Sequence, residues 1–222
     1  MTTPLLETVE VTTGPQPQGT VIWLHGLGAD GHDFEPAVPH LARRGARALR
    51  FVFPHAPVRP VTLNGGMPMR AWYDIVRLNR SGPEDQIGVR ASDSAVRALI
   101  ERENERGVAS ERIVLAGFSQ GGAMALYTGI RHPDKLAGIV GLSCYLPFAD
   151  KLAAEAGSAN RATPIFLAHG SFDEVIELRF GAASRAQLQA AGYDVEWHEY
   201  PLAHSVDVEE LTAVAAFLQR VL

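Results

Sequence analysis

Cysteine is almost missing from this chain of 222 residues, where Cys144 stands alone. An internal disulfide is therefore excluded, which suits a reducing compartment. Lysine is nearly as scarce, with Lys135 and Lys151 the only two, and the net charge is -5. No basic patch stands out, so nucleic acid is not an expected partner. No apolar run reaches membrane-spanning length. Met1 to Pro17 lacks a basic segment followed by an apolar one, so a signal peptide is not expected either. A cytoplasmic location is the expectation. None of the histidines has a metal-ligand spacing, and no metal is predicted. Repeats, low-complexity segments and an interdomain linker are also lacking.

What the chain does have is apolar material, at 46% of its residues, enough for a large core. One α/β domain spanning residues 1–222 is the reading. Strands are expected at Leu5–Thr13, Thr20–Leu24, Ala48–Phe53, Ile113–Phe118, Ala137–Leu142, Pro164–Ala168 and Val195–Tyr200. Helical patterns lie between them. Asp33 caps one running toward Arg44 and stopped by Gly45; others cover Asp85–Arg106, the run after Ser119, Asp150–Ala156 and Leu178–Ala191. Leu211, Val214, Ala215 and Leu218 mark a last amphipathic helix. Strands separated by helices predict a mostly parallel central sheet with helices on both faces. Ligands of such sheets bind beyond the carboxyl ends of the strands.

The most informative stretch is Gly117-Phe118-Ser119-Gln120-Gly121. The apolar run Ile113–Ala116 precedes it and the helix former Ala123–Tyr127 follows. Strand, sharp turn and helix is the setting in which Gly-x-Ser-x-Gly exposes a serine hydroxyl as a nucleophile. A serine needs a base, and the base needs a carboxylate to orient it. The order expected is serine, acid, histidine. Ser119, Asp173 and His204 follow that order, each just after a predicted strand. Glu174 and Glu177 compete with Asp173, which is preferred for its short distance from the strand end. Of the eight histidines, only His204 lies in a loop after the acid and after the last strand. The oxyanion hole then falls to the N–H of Gln120 and of Leu27, in the glycine-rich run His25-Gly26-Leu27-Gly28 after the second strand.

Residues 54–83 form a long loop with Pro54, Pro57, Pro60, Pro68 and Pro83, read as an active-site loop. Between residues 61 and 80 it carries Leu63, Met67, Met69, Trp72, Ile75 and Leu78, more apolar groups than a solvated connection needs. Leu63, Met69 and Trp72 are candidates for one wall of an acyl groove, with Leu146 and Phe172 for the other. A satellite core and half of a homodimer interface are the competing readings of the same cluster. Cys144 opens the apolar run Tyr145–Phe148 and is either a buried small hydrophobe or a pocket residue.

With these residues in view, the chain resembles the carboxylesterase, lysophospholipase and acyl-protein thioesterase family of α/β-hydrolases. The matching runs are Leu24–Gly31, Arg70–Asp74, Gly117–Ala123, His169–Val175 and Ala203–Val206. The resemblance implies Ser119 as nucleophile, His204 as base, Asp173 as its partner, Leu27 and Gln120 at the oxyanion, and no cofactor. It implies hydrolysis of carboxylic esters or thioesters of short to medium acyl chains, on small-molecule or lipid acyl substrates. A dedicated lysophospholipase or acyl-protein thioesterase is the alternative. Some members are dimers. A non-catalytic binding protein on this fold is expected to have lost a triad member, and none is lost. Glu177 and Cys144 depart from the family's usual residues at positions read as bordering the pocket.

Overall fold

In the computed structural model, residues 5–42, 47–78 and 82–222 are described. Strand β1 (Thr8–Thr12) leads into β2 (Gly19–Leu24), a short helix α1 (Val38–Leu41) and β3 (Leu49–Pro54). Strands β4 (Val58–Pro60) and β5 (Pro68–Arg70) pair as a small hairpin, and helix α2 (Gln86–Glu105) follows. Then come β6 (Ile113–Phe118), α3 (Gln120–Arg131), β7 (Gly138–Leu142), α4 (Leu152–Glu155), β8 (Ile165–Gly170), α5 (Leu178–Ala190), β9 (Val195–Tyr200) and α6 (Val208–Val221).

The main sheet has seven strands in the order β1-β3-β2-β6-β7-β8-β9. Only the edge strand β1 runs antiparallel, against β3; the other pairs are parallel. Parallel strands cannot be joined by a tight turn, so each crossover carries its chain back along a face of the sheet. Side chains alternate along β2: Ile22 and Leu24 enter the core shared with α2 and α3, while Val21 and Trp23 enter the one shared with α1 and α6. Both faces of the sheet are therefore covered. Helix α3 is buried along Gln120–Ile130, as its all-round apolar sequence requires. Asp85 caps α2 by accepting the Gly88 N–H at 2.8 Å, and Asp207 caps α6 through the Glu210 N–H at 2.9 Å.

Three expectations need correction. Asp33 does not cap a helix: a 3-10 turn at Glu35–Ala37 precedes a single turn of α1, with no side-chain cap. Pro36 and Pro39 in this stretch shorten it, since each lacks a donor. The expected end at Arg44 and Gly45 lies outside the described residues. The 54–83 segment is not loop throughout, because β4 and β5 form a three-residue ladder in which Pro60 faces Pro68; its residues 79–81 lie outside the described ones. Finally, His169 and Gly170 belong to strand β8 itself.

Two buried glutamates contrast in their surroundings. The Glu103 side chain on α2 accepts from Thr20 Oγ1 at 2.9 Å, Arg50 Nη1 at 2.6 Å and Arg106 Nη1 at 2.9 Å. Burial alone would raise its pKa, but these donors hold it below the usual carboxylate value. Glu210 at the start of α6 is also buried, yet its Oε1 has no partner among the described residues. Burial, helped by the nearby Asp207 charge, pushes it up to about 8. The folded state thus keeps a proton that the unfolded chain, with an ordinary value of 4.5, gives up. The stability this proton contributes is complete below pH 4.5 and is lost as pH rises through about 8. Glu210→Gln, which never ionises, is expected to unfold at least about 2 °C above wild type at pH 8. The gap should close toward pH 5, as checked by thermal melts across that range.

Candidate active site

Ser119 sits between β6 and α3 with φ 55 and ψ -120, a left-handed conformation rare for a residue with a side chain. The turn is held by close approach on both sides. A Cβ on Gly117 would collide with the Gly121 backbone, and one on Gly121 would collide with the Leu24 and His25 carbonyls. Only glycine fits at either position. The Ser119 N–H donates to the Leu142 carbonyl at 2.8 Å, which ties the turn to the end of β7.

His204 lies in the loop after β9, and its Nε2 is 2.9 Å from Ser119 Oγ. Its Nδ1 is 2.7 Å from Asp173 Oδ2. Asp173 Oδ1 accepts the N–H groups of Val175 at 2.9 Å and Ile176 at 2.8 Å. Burial would raise the Asp173 pKa, but the His204 bond and the two backbone donors outweigh it and hold it low. A carboxylate accepting at Oδ2 requires Nδ1 to carry the proton, which leaves Nε2 as acceptor for the Ser119 hydroxyl. His169 lies behind the acid, donating from Nε2 to the Ile176 carbonyl at 2.7 Å. The ring of Phe118 packs on His204 with centroids 4.7 Å apart.

Leu27, in the loop after β2, and Gln120, the first residue of α3, lie beside Ser119, because β2 and β6 are paired as far as Leu24 and Gly117. Neither N–H is used in a turn or cap hydrogen bond among the described residues. Both are available for an anion in front of Ser119, and the Gln120 N–H also opens a helix. His25 is buried; Ala56 N–H donates to its Nε2 at 3.0 Å, and its Nδ1 lies 2.7 Å from the Gly26 carbonyl. Burial lowers its pKa, which keeps this ring neutral.

A cavity of about 340 Å³ opens at Ser119. Leu27, Leu63, Ile75, Leu78, Tyr145, Val175 and Ile176 contribute to its wall, with Arg77 as the one charged side chain among its described residues. Of the five residues expected to bind substrate, Leu63 is on this wall and four are not. Trp72 is fully buried, its indole N–H donating to the His25 carbonyl at 2.9 Å. Leu146 turns into the core while its N–H donates to Ser184 Oγ at 2.8 Å. Phe172 points outward and is 67% exposed. Met69 lies under Gly28 in strand β5. Tyr145, one position before Leu146, was missed, as were Val175 and Ile176. No periodicity operates in such loops, so side-chain direction could not be read there. The two departures do not reach the wall either. Cys144 is buried between Gly122 and Gly141, with its thiol pKa raised by burial, and Glu177 pairs with Arg179 at the surface. A second groove, about 430 Å³, lies on the other side of Phe118 and His204, between Phe34, His40, Val206 and Leu211.

Among the described residues, no helix is long and apolar enough to cross a membrane. Residues 7–222 match the phospholipase/carboxylesterase family. Acyl-protein thioesterase 1 of Neurospora crassa is 42% identical over 208 residues, covering 90% of this chain and 85% of that protein. Acyl-protein thioesterase 1 of Yarrowia lipolytica is 42% identical over 206 residues, 90% of each. The crystal structure of acyl-protein thioesterase 2 from Zea mays superposes with a TM-score of 0.86 at 30% identity, covering 96% of this chain and 98% of that one. That of SOBER1 from Arabidopsis thaliana gives 0.85 at 31% identity, covering 91% and 98%. A sheet of this order, a sharp strand-to-helix elbow at Gly117–Gly121 and a match across nearly the whole length lead to one assignment: the chain belongs to the phospholipase/carboxylesterase family of α/β-hydrolases and is a hydrolase of ester bonds.

Proposed function

We propose that the chain is a cytoplasmic, single-domain serine carboxylesterase that cleaves esters or thioesters of short to medium acyl chains through an acyl-enzyme on Ser119. One observation carries this reading: the hydrogen-bonded line from Ser119 through His204 to Asp173, set at the mouth of a mostly apolar cavity. The acyl chain lies along Leu63, Ile75 and Leu78, which leaves its carbonyl carbon above Ser119 Oγ. As Oγ attacks, its proton moves to His204 Nε2, and the ionised Asp173 stabilises the imidazolium that forms. The N–H groups of Leu27 and Gln120 donate to the oxyanion, where charge appears only in the transition state. His204 returns the proton to the departing alcohol or thiol, which leaves toward the groove beside Phe34 and Leu211. Water then takes the place of the leaving group, and the same base activates it to release the acid.

Thioesters on proteins are the second reading within this chemistry. It is favoured by the names of the relatives, acyl-protein thioesterase 1, at 38% to 42% identity. A thiolate is a better leaving group than an alkoxide, so the same residues serve both substrates without rearrangement.

Three outcomes test the proposal. Ser119→Ala should lower turnover by roughly 10⁴-fold or more and abolish labelling by a fluorophosphonate, with an unchanged circular dichroism spectrum. Wild-type-like turnover would end the mechanism. Asp173→Asn should lower kcat by about 10⁴-fold, because an amide facing Nδ1 favours the wrong tautomer of His204. A loss below tenfold in a kinetic assay would show that the carboxylate does not orient the base. Each methylene buried in the transition state adds up to about 0.8 kcal/mol, about a fourfold gain in kcat/KM. Leu63→Ala with Leu78→Ala should flatten that gain across a series of acyl esters and spare acetyl esters. Equal losses along the series would remove these two residues from the acyl wall.

A further inference from the structure

The two N–H groups assigned to the oxyanion sit on different parts of the chain. Leu27 follows β2, and Gln120 opens α3. Donors must lie about 2.7–3.1 Å from one shared oxygen to be effective. The gap between them therefore has to be held closely, and the strand ladder stops short of both, at Leu24 and Gly117.

Residues 70–73 bridge that gap. On the Leu27 side, the Arg70 carbonyl accepts the Gly28 N–H at 2.9 Å, and the Trp72 indole N–H donates to the His25 carbonyl at 2.9 Å. Leu27 is thus bracketed by two bonds from one short segment. On the elbow side, the Trp72 backbone N–H donates to Gln120 Oε1 at 2.8 Å, and Gln120 Nε2 donates to the Tyr73 carbonyl at 2.8 Å. Both atoms of the Gln120 amide are used on this segment. The segment is itself anchored from below, where Ser92 Oγ donates to the Trp72 carbonyl and the Tyr73 and Tyr145 hydroxyls bond each other. Trp72 is fully buried and Gln120 nearly so. Buried polar groups that are completely paired fix one arrangement, because any shift leaves an unsatisfied group in the core.

We propose that Trp72 is a positioning residue for catalysis: with the Gln120 side-chain amide as its second anchor, it sets the separation of the two oxyanion donors. The proposal rests on the reading of Leu27 and Gln120 as the oxyanion hole. It differs from a wall of the acyl groove, since the Trp72 ring does not line the cavity. It also differs from core filling, which phenylalanine would do nearly as well, because the indole N–H and the amide are the working atoms.

The test uses Trp72→Phe, which deletes the indole N–H and orphans the buried His25 carbonyl. It also uses Gln120→Met, which keeps the Gln120 backbone N–H and the side-chain length but loses both amide bonds. For each, kcat and KM are measured on an acetyl ester and on a longer acyl ester, well below the melting temperature. The inhibition constant of a trifluoromethyl ketone, whose adduct with Ser119 places an oxyanion in the hole, is measured alongside. Each variant should lose about 10- to 100-fold in kcat, with KM within about twofold and the same loss on both esters. Affinity for the ketone should fall by the same factor as kcat/KM. A lowered melting temperature with kcat retained would overturn the proposal in favour of core filling. A loss confined to the longer ester would overturn it in favour of substrate contact. Failure of the underlying reading shows in the wild type alone, as a trifluoromethyl ketone that binds no better than the matching methyl ketone. If Trp72→Phe does not fold, Gln120→Met decides.

Discussion

The first turn of α3 lies directly on the end of β2, with Gly121 against the Leu24 and His25 carbonyls and no space for a Cβ between them. This close approach is the constraint on which the site depends. It forces Ser119 into a left-handed conformation, which lifts the hydroxyl out of the turn. It brings the His25–Gly28 loop beside the elbow. It also directs the positive end of a buried helix at the space in front of Ser119, where a developing anion gains most from it. The strain at Ser119 is of a kind that costs about 1–3 kcal/mol and persists only where the surroundings over-determine it. Here those surroundings are the β6 ladder, the Leu142 carbonyl and the glycine contacts.

The rim of a parallel sheet explains the rest of the site. The elbow, Asp173 and His204 come from three loops far apart in sequence, yet all leave the carboxyl ends of strands β6, β8 and β9. Asp173 is pinned by backbone donors of its own loop, so its position does not depend on His204. His204 is held at Nδ1 by Asp173, at Nε2 by Ser119 and on its face by the Phe118 ring.

This organisation is why the sequence was readable where it was. Strands β2, β6, β7 and β8 are buried on both faces and appear as continuous apolar runs, so their ends, and the residues just beyond them, could be located. Ser119 and Asp173 were picked out in that way, whereas His204 follows the half-buried β9 and was picked out by its order after the acid. The structure brings the three within hydrogen-bonding distance. The region between β3 and α2 offered no such guide. Its ladder pairs three residues with three and includes a proline in each strand, which erases the alternation that marks a strand. Hydrophobicity there signalled burial but not direction. Trp72 faces the core and Leu63 the cavity, although both are large, apolar and part of one segment. Tyr145 and Leu146 are both buried in one core, yet only Tyr145 also reaches the cavity wall, since the backbone between β7 and α4 follows neither period.

The solitary thiol of Cys144 is packed under the elbow helix, against Gly122 and Gly141, where burial keeps it protonated. A protonated, enclosed thiol is a poor nucleophile, so alkylating and oxidising reagents meet an inert group in the folded state. It becomes reactive only when the sheet and α3 part. The rate at which a thiol reagent in excess modifies Cys144 therefore reports how often the centre of the molecule opens. The chain carries, with no engineered label, a clock for its own unfolding placed within a few ångströms of the elbow.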